Sequence, residues 1–328
     1  MDVYIYKLKF RGPTHFGETG IDLENVNEMV SSDTLFSALV NAMSVIYPKE
    51  EVSEFINTFK QQPLFLLSSL FPYSDEICFL PRPKDDSYIS LELKKDKGKE
   101  IKRLKWLDAK GFEKWISGIH LGEDDLNRLV SLQQTYRDAF KLEIRPRVSL
   151  DRVTQSSNIY HCGYVYFKDR AGLYGFVSFN DLSAMEPFRK LLTALSEIGL
   201  GGEKTYGCGL FDVVSMEKVS GILEKILLSD VENYTLLSLY HPSGQEIPGI
   251  DNSLIAYDIV RKKGWITSGR YALPLKRKSV GFFTEGSVFS RKPEGCLVDV
   301  TPEGASHDTL QHKIYRYGYA FTSPIGRQ

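Results

Sequence analysis

The order of strand and helix patterns between residues 3 and 214 restricts this chain to very few folds. Residues 3–10 are aromatic and β-branched, which is typical of a strand. Residues 31–33 (Ser-Ser-Asp) then provide helix N-cap chemistry, and the helix predicted after them ends before Pro48. The apolar residues of this helix share one face: Leu35, Phe36, Leu39, Val40, Met43 and Ile46. Strand, loop and helix in this order open a β-α-β unit.

Residues 72–140 interrupt that unit. They contain three prolines, a basic run from Lys94 to Lys105 and two short helical patterns. We interpret them as an insertion into the first domain, such as a protruding hairpin. The basic run is open to two interpretations, a solvated surface or an RNA contact.

Three strands, a helix and a further strand are predicted after the insertion. The strands lie at 141–150, 159–168, 172–179 and 210–214, and the helix follows a capping pair, Ser183 and Glu186. Without the insertion the order becomes β-α-β-β-α-β, which is the order of ferredoxin-like and RRM-like domains.

The last third of the chain is rich in strand patterns. Strands are predicted at 233–240, 253–260, 279–289, 296–300 and 313–321, and a helical pattern covers 217–228. The sequence therefore predicts an α+β fold of tandem ferredoxin-like or RRM-like domains. Residues 1–216 form the first domain, with its insertion at about 72–140, and residues 217–328 form a smaller, degenerate, β-rich second one.

The composition excludes several classes of protein. Lys and Arg total 41 and Asp and Glu 42 among 328 residues, so the net charge of −1 excludes a uniformly basic nucleic-acid coat but not local basic patches. No apolar run approaches the ~18 residues of a membrane span, and the N-terminus lacks a signal-peptide pattern. The four cysteines are far apart, which argues against a zinc site or a disulfide framework. We expect a cytoplasmic protein without membrane contact, metal or other cofactor.

A glycine-rich segment at residues 199–209 (GLGGEKTYGCG) is the most specific motif. Its glycines permit positive φ and close backbone approach, and its amides and Lys204 are suited to phosphate oxygens. The segment is neither a Walker A loop nor a dinucleotide fingerprint, because its spacing differs and it lies between a helix and a strand. From the residues alone it is either an anion-binding loop or a structural turn.

The segment resembles the G-loop of the RAMP superfamily, the RRM-like proteins of CRISPR–Cas systems. The matching residues are Gly199, Leu200, Gly201, Gly202, Lys204, Gly207, Cys208 and Gly209. Further similar stretches are residues 15–17 (His-Phe-Gly), 32–39 (SDTLFSAL), 145–152 (RPRVSLDR) and 315–319 (YRYGY). In combination these stretches resemble the Csm subunit family that grips the 5′ handle of the CRISPR RNA in type III-A effectors.

The resemblance implies a set of RNA-binding residues: Ser32, Arg145, Arg147, Ser149, Arg152, Gly201, Gly202, Lys204, Thr205, Tyr206, Arg316 and Tyr317. Strand alternation places Arg145 and Arg147 on one face, where they could bind phosphates or form surface ion pairs. Ser32 begins a helix whose amides could accept phosphate or only be capped. Tyr206 could stack on a base or pack internally.

The resemblance also implies the function. It implies a non-catalytic subunit that binds the CRISPR RNA 5′ handle and contacts two protein neighbours, the large cyclase/polymerase-like subunit and a backbone subunit. One alternative is a RAMP endoribonuclease with His15 as general base, and another is the equivalent type III-B subunit. A lone loop histidine is more often a loop or partner contact, which is the role we expect for His15.

Overall fold

The computed structural model describes residues 2–17, 23–87, 89–117, 121–151, 153–154, 156–229, 231, 233–266, 275–303, 310 and 312–326. Its strands are β1 (Asp2–Phe10), β2 (Phe65–Leu67), β3 (Phe71–Ser74), β4 (Ile77–Cys78), β5 (Leu80–Pro81), β6 (Trp106–Leu107), β7 (Phe140–Leu150), β8 (Ser157–Phe167), β9 (Ala171–Phe179), β10 (Phe211–Lys218), β11 (Asn233–Leu236), β12 (Leu254–Ala256), β13 (Ile259–Lys262), β14 (Trp265–Ile266), β15 (Leu275–Lys276), β16 (Val280–Phe283), β17 (Val288–Phe289), β18 (Leu297–Asp299), β19 (Tyr315–Tyr317) and β20 (Thr322–Ile325). Its helices are α1 (Ser32–Ile46), α2 (Lys49–Gln61), α3 (Leu91–Arg103), α4 (Ala109–Ile116), α5 (Glu123–Asp138), α6 (Met185–Ile198), α7 (Gly221–Leu228) and α8 (Ile250–Ser253).

The principal sheet is antiparallel and runs in the order β10-β1-β9-β3-β4, with β2 also paired to β9. The predicted strands at 3–10, 172–179 and 210–214 are confirmed as β1, β9 and β10. Helices α1 and α6 contact each other, and buried residues from both join those of the sheet in one core cluster, which includes Leu35, Leu39, Phe188 and Leu195. The mixed α/β architecture expected from the sequence is therefore present.

The strands predicted at 141–150 and 159–168 form a separate two-stranded hairpin, β7–β8, rather than joining the principal sheet. Residues 65–74 instead provide two strands of the principal sheet, β2 and β3, both paired with β9. Ser68 and Ser69 interrupt the apolar run there, and the Ser68 hydroxyl accepts a hydrogen bond from the Phe176 amide at 2.8 Å. This short, broken pair of strands carries little of the alternation by which strands are predicted.

The predicted insertion at 72–140 also differs from a protruding hairpin. It begins inside the sheet with β3, and it continues through α3, α4 and α5. Trp106, Trp115 and Leu129 from this region are buried in a core cluster shared with the sheet. Large buried aromatic side chains of this kind stabilise a packed layer rather than an exposed arm.

The C-terminal part contains a second sheet in the order β12-β17-β11-β20. This C-terminal part packs against the N-terminal part, where the Phe321 ring stacks on the Phe176 ring with the two centroids 6.0 Å apart. The two parts also meet around the start of α1, where Asp33, Ser69, Arg316 and Glu285 come together; we call this cluster the seam.

A buried carboxyl in the seam predicts a pH dependence of stability. Burial raises the pKa of Glu285 above its ordinary value of 4.5, while the hydrogen bond donated by the Ser69 hydroxyl opposes that shift. The stability that protonated Glu285 contributes is therefore present below pH 4.5 and is lost as the pH rises through its raised pKa. Glu285→Gln should remove this loss of stability. The free energy of unfolding, measured in urea, should therefore differ less between ~pH 5 and ~pH 8 in the variant than in the wild type. Identical profiles for the two proteins would contradict this account of Glu285.

Candidate nucleic-acid interface

Residues 199–209, which we call the G-loop, are pressed against the segment that follows β1. Gly201 has φ +100°, and a Cβ there would lie 2.6 Å from the His15 carbonyl oxygen. The amide of Gly202 donates a hydrogen bond to that same carbonyl at 2.8 Å. A side chain at Gly201 would therefore separate the G-loop from its support, which explains the glycine.

His15 supports the G-loop from the interior. Only 6% of its surface is exposed, and its Nδ1 lies 2.8 Å from the Gly163 carbonyl oxygen in β8. The backbone of His15 thus contacts the G-loop, and its ring contacts the β7–β8 hairpin. The His15 ring therefore makes an internal contact in this chain, and its expected role as a loop or partner contact stays a prediction.

Lys204 begins a short 3-10 turn, Lys204–Tyr206, in the middle of the G-loop. Burial lowers the pKa of Lys204 below its ordinary value. No carboxylate pairs with its ammonium group among the residues that the structure describes. A half-buried cation without a counter-ion is a ready partner for an external anion.

The hairpin strand β7 faces the G-loop with its arginines. The Arg147 guanidinium lies 3.8 Å from the centroid of the Tyr206 ring and donates to the Glu203 carboxylate at 3.0 Å. Arg145 lies 5.3 Å from the Tyr166 ring centroid and donates to Glu143 at 2.6 Å. The ion pairs considered from the sequence are therefore present. The cation–aromatic contacts accompany them and leave Tyr206 64% exposed.

Arg145 and Arg147 share one face of the hairpin, as predicted from strand alternation. The registers pair them with Cys162 and Tyr160, and Ser149 with Asn158. Ser149 and Thr205 are both exposed, Ser149 on the arginine face and Thr205 beside Tyr206. Arg152, the other arginine predicted for this surface, lies outside the described residues.

Three predicted RNA-binding residues have internal roles instead. Ser32 is fully buried, with its amide bonded to the Ser69 hydroxyl at 3.0 Å and its own hydroxyl accepting from the Leu239 amide at 3.1 Å. Arg316 is buried and forms an ion pair with Asp33, and the hydroxyl of fully buried Tyr317 accepts from the Leu67 amide at 2.8 Å. The C-terminal part covers the first two residues of α1, Ser32 and Asp33, so neither is accessible to a phosphate. The predictions for Ser32, Arg316 and Tyr317 are therefore wrong.

Tyr164 and Tyr166 were not among the predicted residues. They lie on the arginine face of β8, and Tyr164 is 5.8 Å from Arg145 and 5.4 Å from Arg147, measured from ring centroid to guanidinium. The alternation of tyrosines at 160, 164 and 166 with smaller residues is a signal that could have found them. They fix the two arginines on one side of the hairpin.

We call Arg145, Arg147, Lys204 and Tyr206 the clamp surface. It combines cationic groups with an exposed aromatic ring, which is the chemistry that binds single-stranded nucleic acid through phosphates and stacked bases. Among the described residues, no group of three or more His, Cys, Asp or Glu side chains is arranged to hold a metal ion. Within the same residues, no helix has the length and apolar character needed to cross a membrane.

Two family models match the chain. The RAMP superfamily matches residues 7–212, which is more than half of the chain, and the CRISPR Csm4 C-terminal domain matches residues 229–325. The curated protein "CRISPR system Cms protein Csm4" of Thermococcus onnurineus is 28% identical over 304 residues, covering 90% of each chain. The Csm4 protein of Methanocaldococcus jannaschii is 21% identical over 377 residues, covering 99% of this chain and 98% of its own.

Solved structures share the fold. The chain superposes on one in a Csm3-Csm4 subcomplex of the type III-A interference complex with a TM-score of 0.65 and 18% identity, covering 99% of both chains. It superposes on one in a Csm1-Csm4 cassette bound to cA4 with a TM-score of 0.60 and 21% identity, covering 100% of this chain and 99% of that one. With the family matches over both parts, this chain belongs to the RAMP superfamily and carries a Csm4 C-terminal domain.

Proposed function

We propose that this chain is a non-catalytic subunit of a type III-A CRISPR effector complex and that its clamp surface holds the 5′ handle of the CRISPR RNA. One observation carries the proposal: Lys204, which has no carboxylate partner in the described part of the chain, lies in the same short turn as Tyr206, on which Arg147 stacks. RNA-binding proteins of this kind recognise unpaired strands with arginine planes, aromatic rings and phosphate-binding cations. The G-loop glycines Gly201 and Gly202 and the exposed Ser149 and Thr205 border this surface.

The comparisons support the assembly that we propose. The similar solved chains come from complexes named for Csm3 and for Csm1. In our proposal the chain joins a large cyclase/polymerase-like subunit to a backbone subunit, in the cytoplasm. A near-neutral net charge of −1 suits a chain that binds RNA locally and uses other surfaces for protein partners.

The proposed domain organisation is the tandem one, with residues 1–216 and 217–328 as ferredoxin-like units. The order β10-β1-β9-β3 supports it for the first unit. Of these four strands, the first along the chain (β1) lies between the fourth (β10) and the third (β9), as in a ferredoxin-like sheet. In the second unit, the four-stranded sheet and α7, which contacts β20, are the degenerate counterpart.

The alternatives are less well supported. A nuclease with His15 as general base needs an imidazole that reaches RNA, whereas this ring is buried and its Nδ1 is bound to Gly163. For the type III-B alternative, a chain of a Cmr-beta complex has a TM-score of 0.52 and 12% identity, which shows a shared fold. The Csm4 C-terminal domain match favours the type III-A subunit.

The salt dependence of RNA binding tests the clamp surface residue by residue. Arg147→Ala and Lys204→Ala should each reduce the slope of log affinity against log salt by ~0.7, since each removes one phosphate contact to a single strand. Exposed Lys190 on α6 provides the control, and Lys190→Ala should leave the slope unchanged. The probe is a fluorescently labelled handle RNA titrated at several salt concentrations. An unchanged slope for either site variant would remove that residue from the RNA site.

A further inference from the structure

The most one-sided charge distribution in the chain lies outside the clamp surface. Residues 259–284 contain seven basic residues and no acidic one, although the whole chain has a net charge of −1. The basic residues are Arg261, Lys262, Lys263, Arg270, Lys276, Arg277 and Lys278. A cluster of one sign in a near-neutral protein concentrates its electrostatic potential at one place.

The structure arranges this segment as a two-stranded ribbon. Strand β13 pairs antiparallel with β16, and β14 pairs antiparallel with β15 further along the same two chain segments. We call strands β13–β16 and β14–β15 together the basic ribbon. Residues 267–274, which join β14 to β15, lie outside the described part of the chain.

Along residues 261–265 of the basic ribbon every second residue is exposed, and these exposed residues are two cations and an aromatic ring. Arg261, Lys263 and Trp265 are exposed, whereas Lys262 and Gly264 between them are half-buried. Trp265 pairs with Lys276 across the ribbon, and the Lys276 ammonium lies 6.0 Å from the centroid of the indole ring. This side of the ribbon is therefore a row of positive charges with a flat ring among them.

Three exposed cations of the basic ribbon, Arg261, Lys263 and Lys276, have no ion-pair partner within the described residues. No carboxylate there forms an ion pair with Arg261, Lys263 or Lys276, and Lys278 has only a 3.8 Å contact with an exposed glutamate, Glu303. Elsewhere on the surface exposed cations such as Arg11 and Arg128 are paired with carboxylates. Unpaired charges in a row are free to bind an external polyanion.

Hydrogen bonds through Arg316, together with a short stretch of chain, relate the basic ribbon to the β7–β8 hairpin, which carries Arg145 and Arg147 of the clamp surface. The Lys263 carbonyl accepts a hydrogen bond from Arg316 at 2.6 Å, and Arg316 also binds Asp33. Ten residues before Asp33, the Leu23 carbonyl accepts from the Gly163 amide of the β7–β8 hairpin at 2.8 Å. A fully extended chain of that length spans at most ~35 Å, which limits the distance between the two anchoring points.

We infer that the basic ribbon is a second binding surface for single-stranded RNA. Arg261, Lys263 and Lys276 bind phosphates, and Trp265 stacks on a base. The ribbon takes the strand that continues beyond the part held at the clamp surface, so the inference rests on the proposed function. An exposed indole among cations favours RNA over an acidic protein, because stacking on bases uses the ring as well as the charges.

The test uses the full chain assembled with its partner subunits and two labelled RNAs, the handle alone and the same handle with a single-stranded extension. The triple variant Arg261→Gln/Lys263→Gln/Lys276→Gln should lower the salt slope for the extended RNA by ~2 and leave the handle unaffected. The matched control is Lys190→Gln/Arg291→Gln/Lys292→Gln, which removes the same three charges from exposed positions elsewhere. It should change neither slope.

A single substitution tests the stacking contact. Trp265→Ala should weaken binding of the extended RNA by ~10-fold. Trp265→Phe should retain most of the wild-type affinity, since a phenyl ring still stacks. Unchanged binding of the extended RNA by both the triple variant and Trp265→Ala would overturn the inference. If Arg147→Ala and Lys204→Ala still reduce the salt slope for the handle RNA in that case, the proposed function stands and only the RNA-binding role of the basic ribbon is refuted. Loss of a protein subunit from the triple variant, with RNA affinity unchanged, would also overturn it and identify an acidic protein as the occupant.

Discussion

Arg316→Met is expected to lower the free energy of unfolding by about 3–5 kcal/mol, because it leaves the Asp33 carboxylate buried without its partner. Asp33 is fully buried at the start of α1, and its other oxygen already accepts from the Ser31 hydroxyl at 2.6 Å. Arg316 also donates to the Lys263 carbonyl. The substitution therefore removes contacts that join the C-terminal part to α1, while methionine keeps much of the side-chain volume.

Urea unfolding of the single and double variants measures this effect. Arg316→Met/Asp33→Asn should recover much of the lost stability, since the double change removes the uncompensated charge. Arg291→Met, at an exposed position, is the control and should be neutral within about 0.5 kcal/mol. A loss below 1 kcal/mol for Arg316→Met would show that the seam ion pair does not hold the two parts together.

Gly209→Ala is expected to destabilise the protein by about 2–5 kcal/mol, from a left-handed backbone cost of about 1–2 and an overlap cost of about 1–3. Gly209 has φ +80°, and an added Cβ would overlap the carbonyl oxygen of Leu200 across the neck of the G-loop. The two residues are also hydrogen bonded there, with the Leu200 amide donating to the Gly209 carbonyl at 2.9 Å. Opening this neck should displace Lys204 and Tyr206, so handle RNA binding should weaken as well.

Gly207 provides a matched control in the same loop. Its φ of +76° is nearly that of Gly209, but a Cβ there meets nothing within 4 Å. Gly207→Ala should therefore cost only the conformational part, about 1–2 kcal/mol. Thermal unfolding and RNA titration of the two variants separate backbone conformation from close packing. Equal effects of the two substitutions would contradict the packing that we describe at the neck.

Local patterns in the sequence were sufficient to predict much of the first part. Strand β1, helix α1 and strand β9 follow from aromatic and β-branched runs and from apolar periodicity, which are properties of short segments. The G-loop and the shared face of Arg145 and Arg147 were predictable for the same reason, because the spacing of glycines and strand alternation decide them.

The remaining features depend on residues distant in the chain. Arg316 and Asp33 are 283 positions apart, and an arginine that pairs with a buried carboxylate looks the same in a sequence as one that binds phosphate. Ser32 is buried because the segment around Leu239 packs over the start of α1, which no local pattern indicates. The principal sheet likewise takes β2 and β3 from a stretch broken by two serines, whose hydroxyls bond to distant residues: Ser68 to the Phe176 amide, and Ser69 to the Ser32 amide and the Glu285 carboxyl.

The most direct test of the central claim is to determine which RNA ends an assembled complex protects. The chain would be co-purified with its partner subunits, as wild type and as Arg147→Met/Lys204→Met, and the bound RNA would be treated with nuclease and sequenced. We expect the wild-type complex to protect small RNAs that share one repeat-derived 5′ end, and the variant complex to keep its protein subunits but lose protection of that end. Equal protection of the 5′ end in both complexes would contradict the claim that the clamp surface holds the handle.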